Sequence, residues 1–215
     1  MRDPTLVANI IKSTIDQFEG KYGHEDKYER PVREMAAVKL GTITLEDVAR
    51  IVEYYLYSWG RMGRVLGREE YYGWQSKVAS FIIQFQNQLG SFRLLPLLGE
   101  DLCKYETTIK AMYQALVSAV GPIGAAKILH LVCPSFFPLW DNAIANGLRQ
   151  HYYGDSTYDS FSDQDYFNFM MWVQNWLRVN DSLVSTLSKQ YTKTKLKIID
   201  EFFWWTVTSP FSLVV

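Results

Sequence analysis

The stretch GPIGAAKILHLVCPSFFPLWDNAI, Gly121 to Ile144, gathers the side chains of this chain best suited to chemistry. Asp141 offers a carboxylate, which can stabilise a developing cation or take a proton from water. Lys127 offers an amine, a nucleophile when neutral and a phosphate holder when charged. His130, one helical turn further on, is a titratable imidazole in an apolar run. Each also has a plain structural reading. An aspartate ahead of NAIANGL is a good helix N-cap by type and position. Lys127 reads equally as a solvated or phosphate-facing lysine. His130 reads as a hydrogen-bonded core residue, since no second His or Cys stands at ligand spacing beside it.

The glycines before these residues have their own use. AVGPIGAAKIL ends one helix and begins another: Gly121 and Gly124 can take positive φ, and Pro122 fixes the start of the second helix. Backbone N–H groups at such a turn, here around Gly121, Ile123, Gly124 and Ala125, make a site for one phosphate oxygen that a β-carbon would hold away. A second basic feature is WGRMGRVLGRE, where Arg61, Arg64 and Arg68 recur at steps of three and four. On a helix they form a stripe that can bind phosphates or simply be solvated. The run SKQYTKTKLK, with Lys189, Lys193, Lys195 and Lys197, reads as a phosphate contact or, more simply, as a polar linker between helices.

The order of these features resembles the helix-hairpin-helix DNA glycosylase superfamily, the endonuclease III-like enzymes. In that family a glycine hairpin is followed by one helix, a short connection and an aspartate that begins the next helix. Here the same order runs Gly121 to Gly124, AAKILHLV, CPSFFPLW and Asp141. The resemblance implies double-stranded DNA as partner, base-excision repair as the setting and Asp141 as the carboxylate that assists release of a flipped base. Phe136, Phe137 and Trp140, with His130 nearby, read either as a wall on which such a base stacks or simply as core. The family's bifunctional members carry a nucleophilic lysine two positions after the second glycine. Lys127 stands one position later, turned by about 100° on a helix, so the pattern implies a monofunctional enzyme that uses water. The glycine spacing is GxxG where the family has GxG, and the connection to Asp141 is a few residues shorter. The alternative is a non-enzymatic helical module that binds DNA or protein, or a helical protein in which GPIG is an ordinary turn.

Helices must position these groups. Val7, Ile11, Ile15, Phe18 and Tyr22 predict a first helix opened near Pro4, followed by a polar break at GKYGHEDKYERP. Leu45, Val48, Val52, Tyr55 and Trp59 predict a second, with Thr44 and Asp47 as a capping box. Val78, Ile82, Phe85 and Leu89 mark a third, and Ile109, Met112, Leu116 and Val120 a fourth that runs into the glycines after the turn LLPLLGED. HYYGDSTYDSFSDQD predicts a long surface loop, whose Asp155, Asp159, Asp163 and Asp165 lack the glycine and glutamate of a calcium loop. Phe169, Trp172, Val173, Trp176 and Leu177, then KLKIIDEFFWWTV, complete an all-α, multi-helix globular array with a helix-hairpin-helix-like element at 110–150. Residues 1–215 are read as one helical domain, with the loop near 152–164 parting two lobes.

A chain of 215 residues with 48% hydrophobic and 15% aromatic content has enough apolar matter for a large core. Its formal net charge of −1 gives no global pull on nucleic acid, so DNA binding must rest on local patches. Cys103 and Cys133, without CxxC spacing, read as buried reduced thiols of a cytoplasmic protein. The start MRDPTLVANIIKS is not a secretion signal, and uninterrupted apolar runs of about 18 residues are lacking, so no membrane partner is expected. No cofactor motif and no metal-ligand spacing appears; the oligomeric state is open.

Overall fold

The computed structural model describes residues 4–22, 27–148 and 161–208. The described residues are all-α, with no strand among them. Helix α1 spans Pro4–Tyr22 and buries Ile11 and Ile15. The stretch expected to be a polar break is itself partly helical: Gly20 to Tyr22 finish α1, and α2 (Glu29–Ala37) starts at the end of that stretch and buries Pro31 and Met35. The charged residues of α2 hide its apolar pair in the sequence.

The predicted capping box forms at Thr44. Its hydroxyl accepts from Asp47 N–H at 3.1 Å, and the Asp47 carboxylate accepts from Thr44 N–H at 3.1 Å. The helix so begun is α3 (Leu45–Asp47), which widens at once into π-helical stretches at Val48–Glu53 and Tyr55–Trp59. π-turns are rare and concentrate at functional sites. This one delivers Trp59, Gly60 and Arg61, and Arg61 leaves it with φ of 53°.

Only Gly63–Leu66, α4, is α-helical in the arginine segment. Arg61, Arg64 and Arg68 therefore lie on a turn, a short helix and its exit, not on one continuous helical stripe. The predicted third helix is two: α5 (Trp74–Gln84) and α6 (Gln86–Leu94), which meet at Phe85.

Helix α7 (Glu106–Val132) is the central element and packs against α2, α5 and α6, and against α9 (Asp163–Tyr191). It breaks at Gly121, whose φ of 74° and ψ of 170° lie in a region open essentially to glycine alone. A β-carbon there would also stand 2.8 Å from the Tyr71 hydroxyl oxygen. Pro122 follows, where its missing N–H costs nothing because a new helical segment is beginning. By length and composition the helical run Leu102–Val132 is apolar enough to cross a membrane, yet most of it is packed inside the protein.

Contacts between distant segments complete the frame. The Arg93 guanidinium donates to the carbonyl oxygens of Met35, Val38 and Val132, satisfying orphan carbonyls at the ends of α2 and α7. Helix α8 (Asn142–Gly147) lies so close to α10 (Lys195–Thr208) that a β-carbon on Gly147 would stand 2.4 Å from the Val207 side chain. Helix α10 also packs on α1 and α9. At the start of α9, Ser162 and Asp165 form a second capping box. Asp163 lies in its first turn, while Asp155, Asp159 and most of the predicted loop lie outside the described residues.

Candidate functional site

A cavity of about 410 Å³ opens between α1, the turn at Trp59–Arg61, α7, the segment Leu139–Asp141 and α10. Two of its walls come from the stretch the sequence singled out: Lys127 from α7, and Trp140 and Asp141 from the segment ahead of α8. Aromatic rings of Phe18, Tyr22, Tyr28, Trp59 and Trp204 supply the rest of its apolar lining.

Lys127 is neither solvated nor at the surface. It is buried, its ammonium donates to the Gly60 carbonyl oxygen at 2.9 Å, and it lies 5.3 Å from the Trp59 ring centre. Burial holds its amine below the ordinary lysine range, and the negative charges of Asp141 and Asp200 offset part of that fall.

Asp141 is the N-cap of α8: its Oδ1 accepts from Ile144 N–H at 2.8 Å. It also lines the cavity. Partial burial pushes its carboxyl above the usual range, against the amide hydrogen bond of Ile144, and the Asp200 charge pushes in the same direction as burial. Burial thus lowers the amine and raises the carboxyl, so the two shifts draw the groups toward each other in proton affinity.

Facing them are charged residues that the sequence reading took for a linker. Lys193 is buried and pairs with Glu19 at 2.5 Å and Glu201 at 2.8 Å. Lys197, also buried, pairs with Asp200 at 2.7 Å and lies 3.4 Å from Glu201. Its ammonium sits 4.9 Å from the Trp59 ring centre and 5.0 Å from that of Tyr28, within cation–π reach of both. Burial by itself would lower the Lys197 amine, but the Asp200 and Glu201 charges reverse this and hold it above the ordinary lysine range. Burial also raises the Glu201 carboxyl, and hydrogen bonding with Glu19 adds to the rise. One clue to this network was in the sequence: KLKIIDEFF places a lysine three and four residues before two carboxylates inside an otherwise apolar helix. The pairing of Lys193 with Glu19, 174 residues away, had no local signal.

The other sequence candidates fall in several places. His130 is fully buried. Its Nδ1 lies 2.7 Å from the Phe137 carbonyl oxygen, so that nitrogen carries the proton, and Nε2 accepts from the Tyr28 hydroxyl at 2.6 Å. Burial pushes the imidazole down to about 4. Phe136 stacks on Phe92 with ring centres 4.3 Å apart, and Phe137 meets both edge-on, away from the cavity lining. Trp140 spans both worlds: it lines the cavity and stacks on Phe169 at 5.8 Å. Gly121, Gly124 and Ala125 are buried, and Ile123 is half-buried against the core. Arg61 lines the cavity, while Arg64 and Arg68 are exposed, the latter 3.7 Å from Glu70. Cys133 is buried and donates to the Leu89 carbonyl, whereas Cys103, expected to be buried, is exposed.

Comparison with protein-family models, with curated proteins and with solved structures gives no match to this chain.

Proposed function

We propose that this chain is a DNA-binding helix-hairpin-helix protein resembling base-excision DNA glycosylases, monofunctional in type, whose cavity receives a nucleobase turned out of the duplex. The observation that carries this reading is that Lys127 and Asp141, candidates from sequence alone, line one cavity with Trp59, Trp140 and Tyr22. Its volume of about 410 Å³ falls within the range of ligand pockets, roughly 300–1,000 Å³. Aromatic walls suit a planar heterocycle, which stacks without regard to hydrogen-bond pattern. Arg61 at the rim, with exposed Arg64 and Arg68 beyond it, offers the phosphate contacts that the net charge of the chain does not.

In this reading water is the nucleophile. Asp141 takes a proton from it, or faces the positive charge that develops on the sugar as the base departs. Its raised carboxyl makes it a stronger base than a solvated aspartate. Lys127, held by the Gly60 carbonyl, tunes Asp141 and forms no covalent bond with the sugar.

A second reading is a non-enzymatic helical module that binds DNA or protein. It draws on the structural duties these groups already have: Lys127 ties α7 to the Gly60 turn, and Asp141 caps α8.

The test is a panel of duplexes, each with one damaged or mismatched base, incubated with wild-type and Asp141→Asn protein and then treated with alkali. Strand scission with wild-type protein alone, at unchanged duplex affinity, is the expected result. Equal base release by both proteins removes Asp141 from the mechanism. Duplex binding without release from any member of the panel favours the non-enzymatic module.

A further inference from the structure

Asp200 belongs to the cavity, and its spacing from Lys197 is the one local sign of it in the sequence. It lines the same pocket as Asp141, and it is 9% exposed, so its carboxylate is sheltered from bulk water yet open to an occupant. Lys197 fixes it from one side at 2.7 Å, and the cage of Trp59 and Tyr28 fixes Lys197 in turn. The close seating of α8 on α10 at Gly147 and Val207 brings together the elements that carry Asp141 and Asp200, and both carboxylates line the pocket. The charged groups facing the two carboxylates are Lys127 from α7, Arg61 from the Trp59 turn, Lys197 and Glu201 from α10, with Lys27, Glu29 and Lys193 further along the lining.

We propose that Asp200 is the second carboxylate of this site, and that its lysine-anchored oxygens stabilise the positive charge of the sugar while the base departs. The proposal rests on the base-release reading above. In that step the bond between the sugar carbon and the base nitrogen breaks, and its electron pair leaves with the base. Water adds to the sugar carbon, and Asp141 takes the water proton, which passes on to the departing base. Asp200 transfers no proton; it supplies fixed negative charge where positive charge forms. Two carboxylates with divided roles, one exchanging protons and one staying ionised, is the general solution for cleaving a bond to an anomeric carbon. Fixed charge in a sheltered site acts strongly because it needs no reorganisation as the reaction proceeds.

The test uses binding, so it does not depend on knowing the damaged base. Two duplexes are compared: one carries a neutral tetrahydrofuran abasic analogue, the other a cationic pyrrolidine in its place, a mimic of the charged sugar. Wild-type protein is expected to prefer the pyrrolidine duplex, and Asp200→Asn to reduce that preference by about 10-fold with little change on the neutral one. Because the single variant leaves the buried Lys197 ammonium with Glu201 alone, at 3.4 Å, the Lys197→Met, Asp200→Asn double variant is measured alongside and should show the same loss. A folded variant of either kind that keeps the wild-type preference overturns the role of Asp200, as does a wild-type protein that releases bases yet shows no preference for the cation. Wild-type protein that binds neither duplex at low salt overturns the DNA reading itself, and the Asp200 role with it.

Discussion

The ammonium of Lys127 donates to the carbonyl oxygen of Gly60 at 2.9 Å, joining positions 67 residues apart. The bond links the segment after the Gly121 break to the turn that closes the π-helical stretch, and it sets the amine at the cavity wall. Every feature of the site follows from such long-range placements on a helical frame.

A buried amine held low should react with electrophiles at lower pH than the exposed lysines. Acylation by a small reagent, followed residue by residue by mass spectrometry, is expected to modify Lys127 with a pH midpoint below that of exposed Lys12 or Lys104. A midpoint at or above theirs would contradict the burial argument.

Asp141 is a cap as well as a site residue, and the two roles separate by substitution. Asparagine keeps an oxygen for Ile144 N–H, so Asp141→Asn should leave the unfolding free energy nearly unchanged. Alanine loses the cap and should cost about 1 kcal/mol. Urea unfolding of both variants measures the difference.

His130 links folding to pH. Its imidazole takes a proton at about 4 in the folded protein and at 6.5 ordinarily. Above pH 6.5 both states are neutral and the full stability is present; as pH falls from there toward 4 the unfolded chain alone gains the proton. The loss is roughly 3 kcal/mol by linkage. His130→Gln should lower stability at neutral pH by breaking the Tyr28 and Phe137 contacts, and should flatten this limb of the pH profile. An unchanged slope in the variant would falsify the assignment.

Gly121→Ala combines an unfavourable backbone region with a steric conflict at Tyr71. A cost of about 2–3 kcal/mol is expected from the backbone alone. The double variant Gly121→Ala, Tyr71→Phe should recover only the steric share. Thermal melts of the two variants separate the contributions.

Lys193 neutralises two buried carboxylates. Lys193→Met leaves Glu19 without this cation and Glu201 with Lys197 alone, and should cost about 3–5 kcal/mol. The loss should shrink at acid pH, where one carboxyl takes up a proton; a loss that grew as pH fell would contradict the pairing.

Much of the frame was legible from periodicity. Ile11 and Ile15, Val48 and Val52, Val78 and Ile82, and Ile109, Met112 and Leu116 recur at helical steps because each helix buries one stripe, and all of them are buried here. Capping at Thr44 and Asp141 and the break at Gly121 were legible too, since each depends on residues a few positions apart. The segment Arg61 to Arg68 was not, because its spacing suits a helix while the chain turns out of a π-helical stretch at Gly60. The end of α9 and the start of α10 were not, because lysines that look solvated locally are buried against distant carboxylates.

The sequence by itself determined most of the helices, the caps at Thr44 and Asp141 and the break at Gly121, for these rest on propensity, backbone freedom and hydrogen bonds within a few residues. Tertiary structure alone decided which charges share a cavity. Lys127, Asp141 and Lys197 come from separate segments, and the free energy that shifts their protonation arises from burial and from neighbours that the packed chain supplies.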